Sequence, residues 1–92
     1  MRFSQGEAVC STAGRDANKC FLVVEVVDEQ FVLIADGKLR KIEKPKKKKI
    51  KHLVSLGKIS QETAQKLIDR QLVTNGEIRK VLATIKAKKG EE

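Results

Sequence analysis

The chain has 92 residues, of which 40% are hydrophobic and 35% charged, and 20 Lys and Arg against 12 Asp and Glu give a net charge of +8. This composition is too hydrophobic for a disordered tail and too polar for a membrane protein, and the length fits one small domain. The positive charge favours an anionic partner, which can be nucleic acid, an acidic protein or an anionic membrane surface.

The chain shows no targeting or metal-binding pattern. No apolar run reaches the roughly 18 residues that cross a bilayer, and residues 1–20 lack the hydrophobic stretch and cleavage site of a signal peptide. We therefore expect a cytoplasmic protein with no membrane partner. In that reducing compartment, Cys10 and Cys20 are interpreted as small buried apolar residues. Because His52 is the single histidine, we expect no metal site, no histidine-based catalytic array and no cofactor.

The first half of the chain predicts short strands separated by turns. Runs rich in β-branched and aromatic residues predict three strands, at residues 8–11, 20–27 and 30–35. Asp36 followed by Gly37 is a hairpin signal, which predicts a fourth strand at about 38–44. Pro45 interrupts that ladder, and a fifth strand is predicted at 50–54. Five short strands of this kind predict a small barrel.

The last third of the chain predicts two amphipathic helices. Apolar residues recur there at helical spacing in two groups, Ala64, Leu67, Ile68 and Leu72, then Ile78, Val81, Leu82 and Ile85. Ser60 is positioned to cap the first helix, and Thr74 with Glu77 has capping-box spacing for the second. The second and third strands are apolar on both faces, so these helices are candidates to cover the outer face of the sheet.

One segment carries the whole net charge. Within residues 38–52, eight lysines and Arg40 against Glu43 give +8, while the other 77 residues hold 11 basic and 11 acidic groups. Four consecutive lysines, 46–49, would repel one another if packed, so we predict an extended, solvated loop there. Lysine suits point-charge contact with phosphates more than bidentate reading of base edges. The alternatives are a solubilising loop without a partner, or a nuclear localisation signal at 44–51.

Aromatic and acidic residues offer little for other chemistries. Phe21 and Phe31 lie in predicted strands and are assigned to the core, so base stacking is a poor mechanism for this chain. Asp16 and Glu25 are interpreted as a loop-ordering carboxylate and a solvated strand residue, because no polarised acid–base pair is evident. We therefore expect no enzymatic activity.

The stretch from Gly6 to Gly37 resembles the KOW motif. The resemblance is carried by Gly6, Val9, the Gly14, Arg15, Asp16 loop, the Val23 to Val27 run and the closing Asp36, Gly37. The part from Val26 to Gly37 is similar to the KOW domain of the fourteen-e ribosomal proteins of archaeal and eukaryotic large subunits. The whole chain, including Leu39 to Leu53, is similar to small bacterial KOW-domain RNA-binding proteins related to that family.

The resemblance implies an α+β protein with two parts. Residues 1–54 would form a small SH3-like (KOW) β-barrel that includes the basic segment 38–52, and residues 55–92 a C-terminal helical hairpin with a short charged tail. RNA would be contacted through the loop around Gly14, without catalysis. Ala17 and Asn18 stand where KOW sequences often have Lys and a second Gly, although Asn18 can adopt a left-handed conformation.

These observations predict a non-catalytic RNA-binding protein that holds ribosomal RNA or the large ribosomal subunit, with ribosomal proteins as further partners and no small-molecule substrate. The predicted RNA-binding residues are Gly14, Arg15, Lys19, Lys38, Arg40, Lys41, Lys44, Lys46, Lys47, Lys48, Lys49, Lys51 and His52.

The rival hypothesis is a protein-interaction adaptor of the translation or transcription machinery whose helical hairpin docks on a partner. That hypothesis requires its docking side chains, Leu67, Ile68, Val81 and Leu82, to be partly exposed. Double-stranded DNA is disfavoured because the basic residues of segment 38–52 do not lie on a predicted recognition helix.

Overall fold

The computed structural model describes residues 3–12, 14 and 17–90, with side chains up to Ile85. It contains five strands and two α-helices: β1 (Ala8–Ser11), β2 (Cys20–Val26), β3 (Phe31–Ala35), β4 (Lys46–Lys49), β5 (Leu53–Gly57), α1 (Gln61–Ile68) and α2 (Asn75–Gly90). A 3₁₀ helix (Ile50–His52) joins β4 to β5. The presence of both strands and helices confirms the α+β class. None of the helices in this described part is both long and apolar enough to cross a membrane.

The strands form one antiparallel sheet in the order β4-β3-β2-β1-β5. The first three predicted strands are confirmed to within one residue at each end. The fifth begins later than predicted, at Leu53, because the 3₁₀ helix occupies the preceding residues.

The prediction of a fourth strand at 38–44 is wrong. One carboxylate oxygen of Asp36 accepts the backbone N–H groups of Lys38 and Arg40, at 2.8 and 2.9 Å. The carbonyl of Arg40 in turn accepts the N–H groups of Asp36 and Gly37. These bonds close a loop at residues 36–40 instead of a two-residue hairpin, so the chain re-enters the sheet only after Pro45.

The prediction of an extended loop at Lys46–Lys49 is also wrong, because these four lysines form strand β4. The strand lies at one edge of the sheet and pairs with β3 alone among the described residues. An edge strand tolerates successive lysines because alternate side chains project from opposite faces, and lysines at an edge oppose pairing with further strands. Because neighbouring lysine side chains point to opposite faces of the sheet, the repulsion among the four lysines is reduced.

The strand pairing of the described residues does not close the sheet into a barrel. In the described part of the chain, the ladders leave β4 and β5 as the two edges. Yet only the three residues of the 3₁₀ helix separate Lys49 from Leu53, and such a helix rises only about 2 Å per residue. The two edges must therefore approach each other at this corner of the fold.

Each face of the sheet buries a cluster of apolar side chains. On one face lies a cluster, here called the inner cluster, made of Phe3, Val9, Phe21, Val23, Val32, Ile34 and Leu53. The other face contributes Ala8, Leu22, Val24 and Ala35 to a cluster with Leu67, Val73, Ile78, Val81, Leu82 and Ile85 from the helical region. The expectation that helices cover the outer face is confirmed. Because β5 runs past residue 54 and the helices share a core with the sheet, the two predicted parts pack as one body.

The helix ends match the predicted caps in part. Ser60 Oγ accepts the N–H of Thr63 at 3.2 Å, and Thr74 Oγ1 accepts the N–H of Glu77 at 3.1 Å. The Glu77 carboxylate accepts from Thr63 Oγ1 at 2.7 Å and pairs with Lys66 at 3.3 Å. The hydrogen bond from Thr63 lowers the pKa of Glu77. Glu77 therefore links α2 to α1, a role that the capping-box spacing does not predict.

Helix α1 is shorter than its apolar stripe predicted. It ends at Ile68, and Arg70 adopts a left-handed conformation with φ of 59°. Leu72 consequently lies outside the helix and is 84% exposed. The predicted stripe is buried at Ala64 and Leu67 and is not buried at Ile68 or Leu72.

Cys10 and Cys20 form a disulfide, which contradicts their interpretation as separate apolar thiols. The two residues face each other across β1 and β2, with their Cα atoms 4.0 Å apart. The neighbouring bond from Ser11 N–H to the Lys19 carbonyl marks the cysteines as a non-hydrogen-bonded pair, in which opposite side chains lie closest. The disulfide joins the two ends of the loop that contains Gly14.

Leu67 and Ile68 are neighbours on α1 with opposite environments, since Leu67 is 8% exposed and Ile68 44% exposed. We expect Leu67→Ala to lower the free energy of unfolding by about 2–5 kcal/mol, and Ile68→Ala by about 1 kcal/mol or less. Urea denaturation followed by circular dichroism measures both changes. Equal destabilisation by the two substitutions would contradict the placement of α1 on the sheet.

Candidate nucleic-acid interface

The β1–β2 loop and the connection between β3 and β4 lie at the same end of the sheet. This follows from the register, because Cys20 at the start of β2 lies opposite Cys10, and Ala35 at the end of β3 lies opposite Leu22. Lys19 from the loop and Lys38 from the connection line one cleft. Two separate parts of the predicted RNA-binding set are thereby brought together.

Two described residues of the β1–β2 loop have the backbone conformation that the sequence predicts. Gly14 has φ of +74° and Asn18 has φ of 70°, so both occupy the left-handed region. A Cβ added at Gly14 would meet nothing within 4 Å. The glycine therefore satisfies a backbone requirement and leaves an open, exposed surface. Lys19, at the end of the same loop, is exposed, whereas Arg15 lies outside the described residues.

The connection between β3 and β4 is held by the first turns of α2. Asn75 Oδ1 accepts the N–H of Ile42 at 2.8 Å, and Asn75 Nδ2 donates to the Glu43 carboxylate at 2.9 Å. Arg79 donates to the carbonyl of Gly37. The exposed cations of this connection, Lys38, Arg40, Lys41 and Lys44, are thus carried on a backbone anchored at two points.

Asn75 and Arg79 are positioning residues that sequence reasoning missed. No local pattern distinguishes them from the polar residues of any exposed helix, since their partners are more than 30 positions away in the chain. Glu43 is the one carboxylate in segment 38–52. The hydrogen bond from Asn75 lowers the pKa of Glu43, and the positive charge of Lys41 acts in the same direction. Glu43 therefore stays ionised and engaged by α2.

The four lysines of β4 divide between the two faces of the sheet. Lys47 and Lys49 are exposed, and their ammonium groups lie 4.6 and 5.9 Å from the centre of the Phe31 ring. Lys46 and Lys48 are half-buried and lie opposite Ile34 and Val32 on the face of the inner cluster. Lys47 and Lys49 are thus the members of the run that are presented to solvent on one face.

The two phenylalanines assigned to the core have different environments. Phe21 is buried in the inner cluster, as predicted. Phe31 is half-buried, and the nearby ammonium groups are attracted to the negative face of its ring. The assignment of Phe31 to the core is therefore wrong in part, because the ring is half-exposed and contacts the ammonium groups of Lys47 and Lys49.

Segment 38–52 starts near the β1–β2 loop and also ends near it. After β4, the N–H of Ile50 bonds to the carbonyl of Gln30 at the far end of the sheet, and the 3₁₀ helix then crosses back. The carbonyl of His52 accepts the backbone N–H and the hydroxyl of Thr12, at 2.9 and 3.1 Å. Lys51 is exposed and His52 half-buried. Both ends of segment 38–52 therefore lie beside the Gly14 loop.

Comparison with known protein families and with curated proteins finds no match for this chain. The chemistry of the site is that of a cationic surface, with point charges on a strand edge, on an anchored connection and beside an open glycine loop. Such a surface can bind a polyanion along its length, because each ammonium group can contact a separate phosphate.

Proposed function

We propose that this protein is a non-catalytic RNA-binding protein, a KOW-type SH3-like barrel that binds ribosomal RNA of the large subunit. The observation that carries the proposal is the path of segment 38–52. Its charge of +8 is spread over the β3–β4 connection, the edge strand β4 and the 3₁₀ helix, and both of its ends lie beside the Gly14 loop. The five-stranded antiparallel sheet, whose two edge strands are joined by a three-residue 3₁₀ helix, supports the barrel assignment.

The chemistry of the surface favours recognition of phosphates and shape over recognition of base sequence. Lysines outnumber arginines eight to one in the segment, and ammonium groups contact phosphates without the bidentate geometry that base edges require. Structured RNA is recognised largely through its backbone and its shape. The proposal therefore expects strong salt dependence and weak sequence preference.

The adaptor hypothesis receives less support. Three of the four side chains that it requires for docking, Leu67, Val81 and Leu82, are buried against the sheet. Only Ile68 is substantially exposed. A partner would have to bind through a different surface from the apolar helix faces that motivated that hypothesis.

The proposal places the protein in the cytoplasm, where reducing thiols convert most disulfides into free cysteines. The Cys10–Cys20 bond joins the ends of the Gly14 loop, so its redox state can alter the loop. RNA binding should therefore be measured for both the oxidised and the reduced protein.

The direct test of RNA binding is a titration of a fluorescently labelled ribosomal RNA fragment at several salt concentrations. For the unmodified protein, the logarithm of affinity should fall linearly with the logarithm of salt concentration, by about 0.7–0.9 for each phosphate contact. Replacing all four lysines of β4 with glutamine should lower that slope by about 1.5, because two of the four, Lys47 and Lys49, are exposed and each can contact one phosphate. An unchanged slope would refute the basic segment as the binding surface.

Sedimentation of a native lysate through a sucrose gradient at low salt tests the ribosomal assignment. We expect the protein to migrate with the large subunit and to lose that position after nuclease treatment. A protein that remains at the top of the gradient without nuclease would exclude stable association with the ribosome.

A further inference from the structure

A cleft of ≈ 360 Å³ opens at the end of the sheet where the basic segment begins. Leu39, Leu82 and Ile85 supply its apolar walls, and the loop residues Asn18 and Lys19 form part of its rim. Leu39 is 81% exposed, so the wall that it forms is uncovered in the free protein. A volume of this size lies near the lower end of the range for small-molecule sites, about 300–1,000 Å³.

The charged groups around the cleft are not equally available to a ligand. The Asp36 carboxylate accepts two backbone N–H groups of its own turn, and Arg79 donates to the Gly37 carbonyl. Lys19 and Lys38 are exposed and make no ion pair with another described residue. The rim therefore presents two available ammonium groups above an apolar interior, which suits a ligand that has both a flat apolar part and an anionic part.

We propose that this cleft takes one unstacked nucleotide of the bound RNA, with its base against Leu39 and Leu82 and its phosphate on Lys19 and Lys38. The inference rests on the proposed RNA-binding function and specifies the class of RNA. A base within a continuous helix is stacked and paired, whereas bulges and loops present bases that can leave the stack. The preferred RNA is therefore a helix interrupted by a bulge or loop.

The position of the cleft connects this nucleotide to the rest of the surface. Lys38 is the first residue of segment 38–52. An RNA strand that leaves the cleft would therefore next meet the cations of the β3–β4 connection. Asn18 adds an amide at the rim that can form hydrogen bonds with a base edge. One nucleotide would thus set the register of the RNA, while the lysines bind the following backbone without regard to sequence.

The experiment compares two synthetic RNA hairpins that differ only by a single bulged 2-aminopurine in the stem. Affinities are measured by anisotropy, and the fluorescence of 2-aminopurine reports whether the base changes its stacking. We expect the unmodified protein to bind the bulged hairpin about tenfold more tightly than the paired one, because one face of the base leaves water. The fluorescence should change on binding.

Ala83→Leu fills the cleft from α2, where Ala83 lines it, and leaves every charge in place. The preference for the bulged hairpin should fall to about twofold, with affinity for the paired hairpin and its salt slope unchanged. Thr84→Leu adds the same side chain at the next position, which lines a different groove, and should retain the preference. If Ala83→Leu fails to fold, Leu39→Ser removes the exposed wall and should also reduce the preference.

The outcomes separate this inference from the proposed function. Equal binding of both hairpins by the unmodified protein overturns the nucleotide site and leaves the basic surface as an RNA-binding surface. A preference that survives in both Ala83→Leu and Leu39→Ser likewise overturns it. Failure to bind either hairpin contradicts the proposed function itself.

Discussion

Replacing Lys47 and Lys49 together with glutamine is expected to lower affinity for RNA about 30-fold at 0.1 M salt and to lower the salt slope by about 1.5. These two lysines are the exposed members of β4, and each can neutralise one phosphate and release its counterion. Their removal should leave the fold intact, because they contribute only contacts with the Phe31 ring among the described residues. Anisotropy titrations at four salt concentrations measure both quantities.

The matched control is Lys46→Gln with Lys48→Gln, which changes the net charge by the same amount in the same strand. These side chains are half-buried on the opposite face of the sheet, beside Ile34 and Val32. We expect a loss of affinity of about threefold or less, from the reduced long-range attraction alone. If the two double variants lose affinity equally, the net charge of the protein controls binding and the exposed face of β4 has no special role.

Gly37→Ala is expected to lower the free energy of unfolding by about 2–4 kcal/mol. Gly37 has φ of +79°, a conformation that strains any residue with a Cβ. A Cβ there would also overlap the backbone oxygen of Asn75 and lie 3.0 Å from Cγ of Arg79. The first turn of α2 would have to move away from the connection that it anchors. Guanidinium denaturation measures the loss of stability.

Gly57→Ala is the control for this substitution, because Gly57 has φ of +81° and an added Cβ would meet nothing within 4 Å. We expect Gly57→Ala to lower the free energy of unfolding by about 1–2 kcal/mol, which is the cost of the left-handed backbone conformation alone. The difference in free energy of unfolding between the two variants measures the cost of disturbing the close contact between α2 and the β3–β4 connection. Equal losses would show that this approach contributes nothing to stability.

Local features of the chain were predictable where short-range physics decides them. β-branched residues favour extended backbone, and β1, β2 and β3 begin and end within one residue of the positions predicted. The Ser60 cap and the left-handed Asn18 follow in the same way from the hydrogen-bonding and steric properties of single side chains. The concentration of charge in segment 38–52 is a property of composition and needs no structure.

Features that depend on partners distant in the chain were mispredicted or missed. Mutual repulsion favours a loop for Lys46–Lys49, but pairing with β3 at a sheet edge makes it a strand. Cys10 and Cys20 read as two isolated thiols until the register of β1 and β2 places them opposite each other. The anchoring of the connection by Asn75 has no local signal, because its partners lie more than 30 positions away.

The sequence by itself determined that this is a small α+β protein whose entire net charge lies in residues 38–52. Only the tertiary structure decided which of those charges share a surface. Strand pairing places Lys47 and Lys49 on one face of the sheet and Lys46 and Lys48 on the other. The 3₁₀ helix brings His52 next to Thr12 in the β1–β2 loop. The physical reason is that charge is a property of each residue, whereas proximity arises when long-range pairing and burial close the chain on itself.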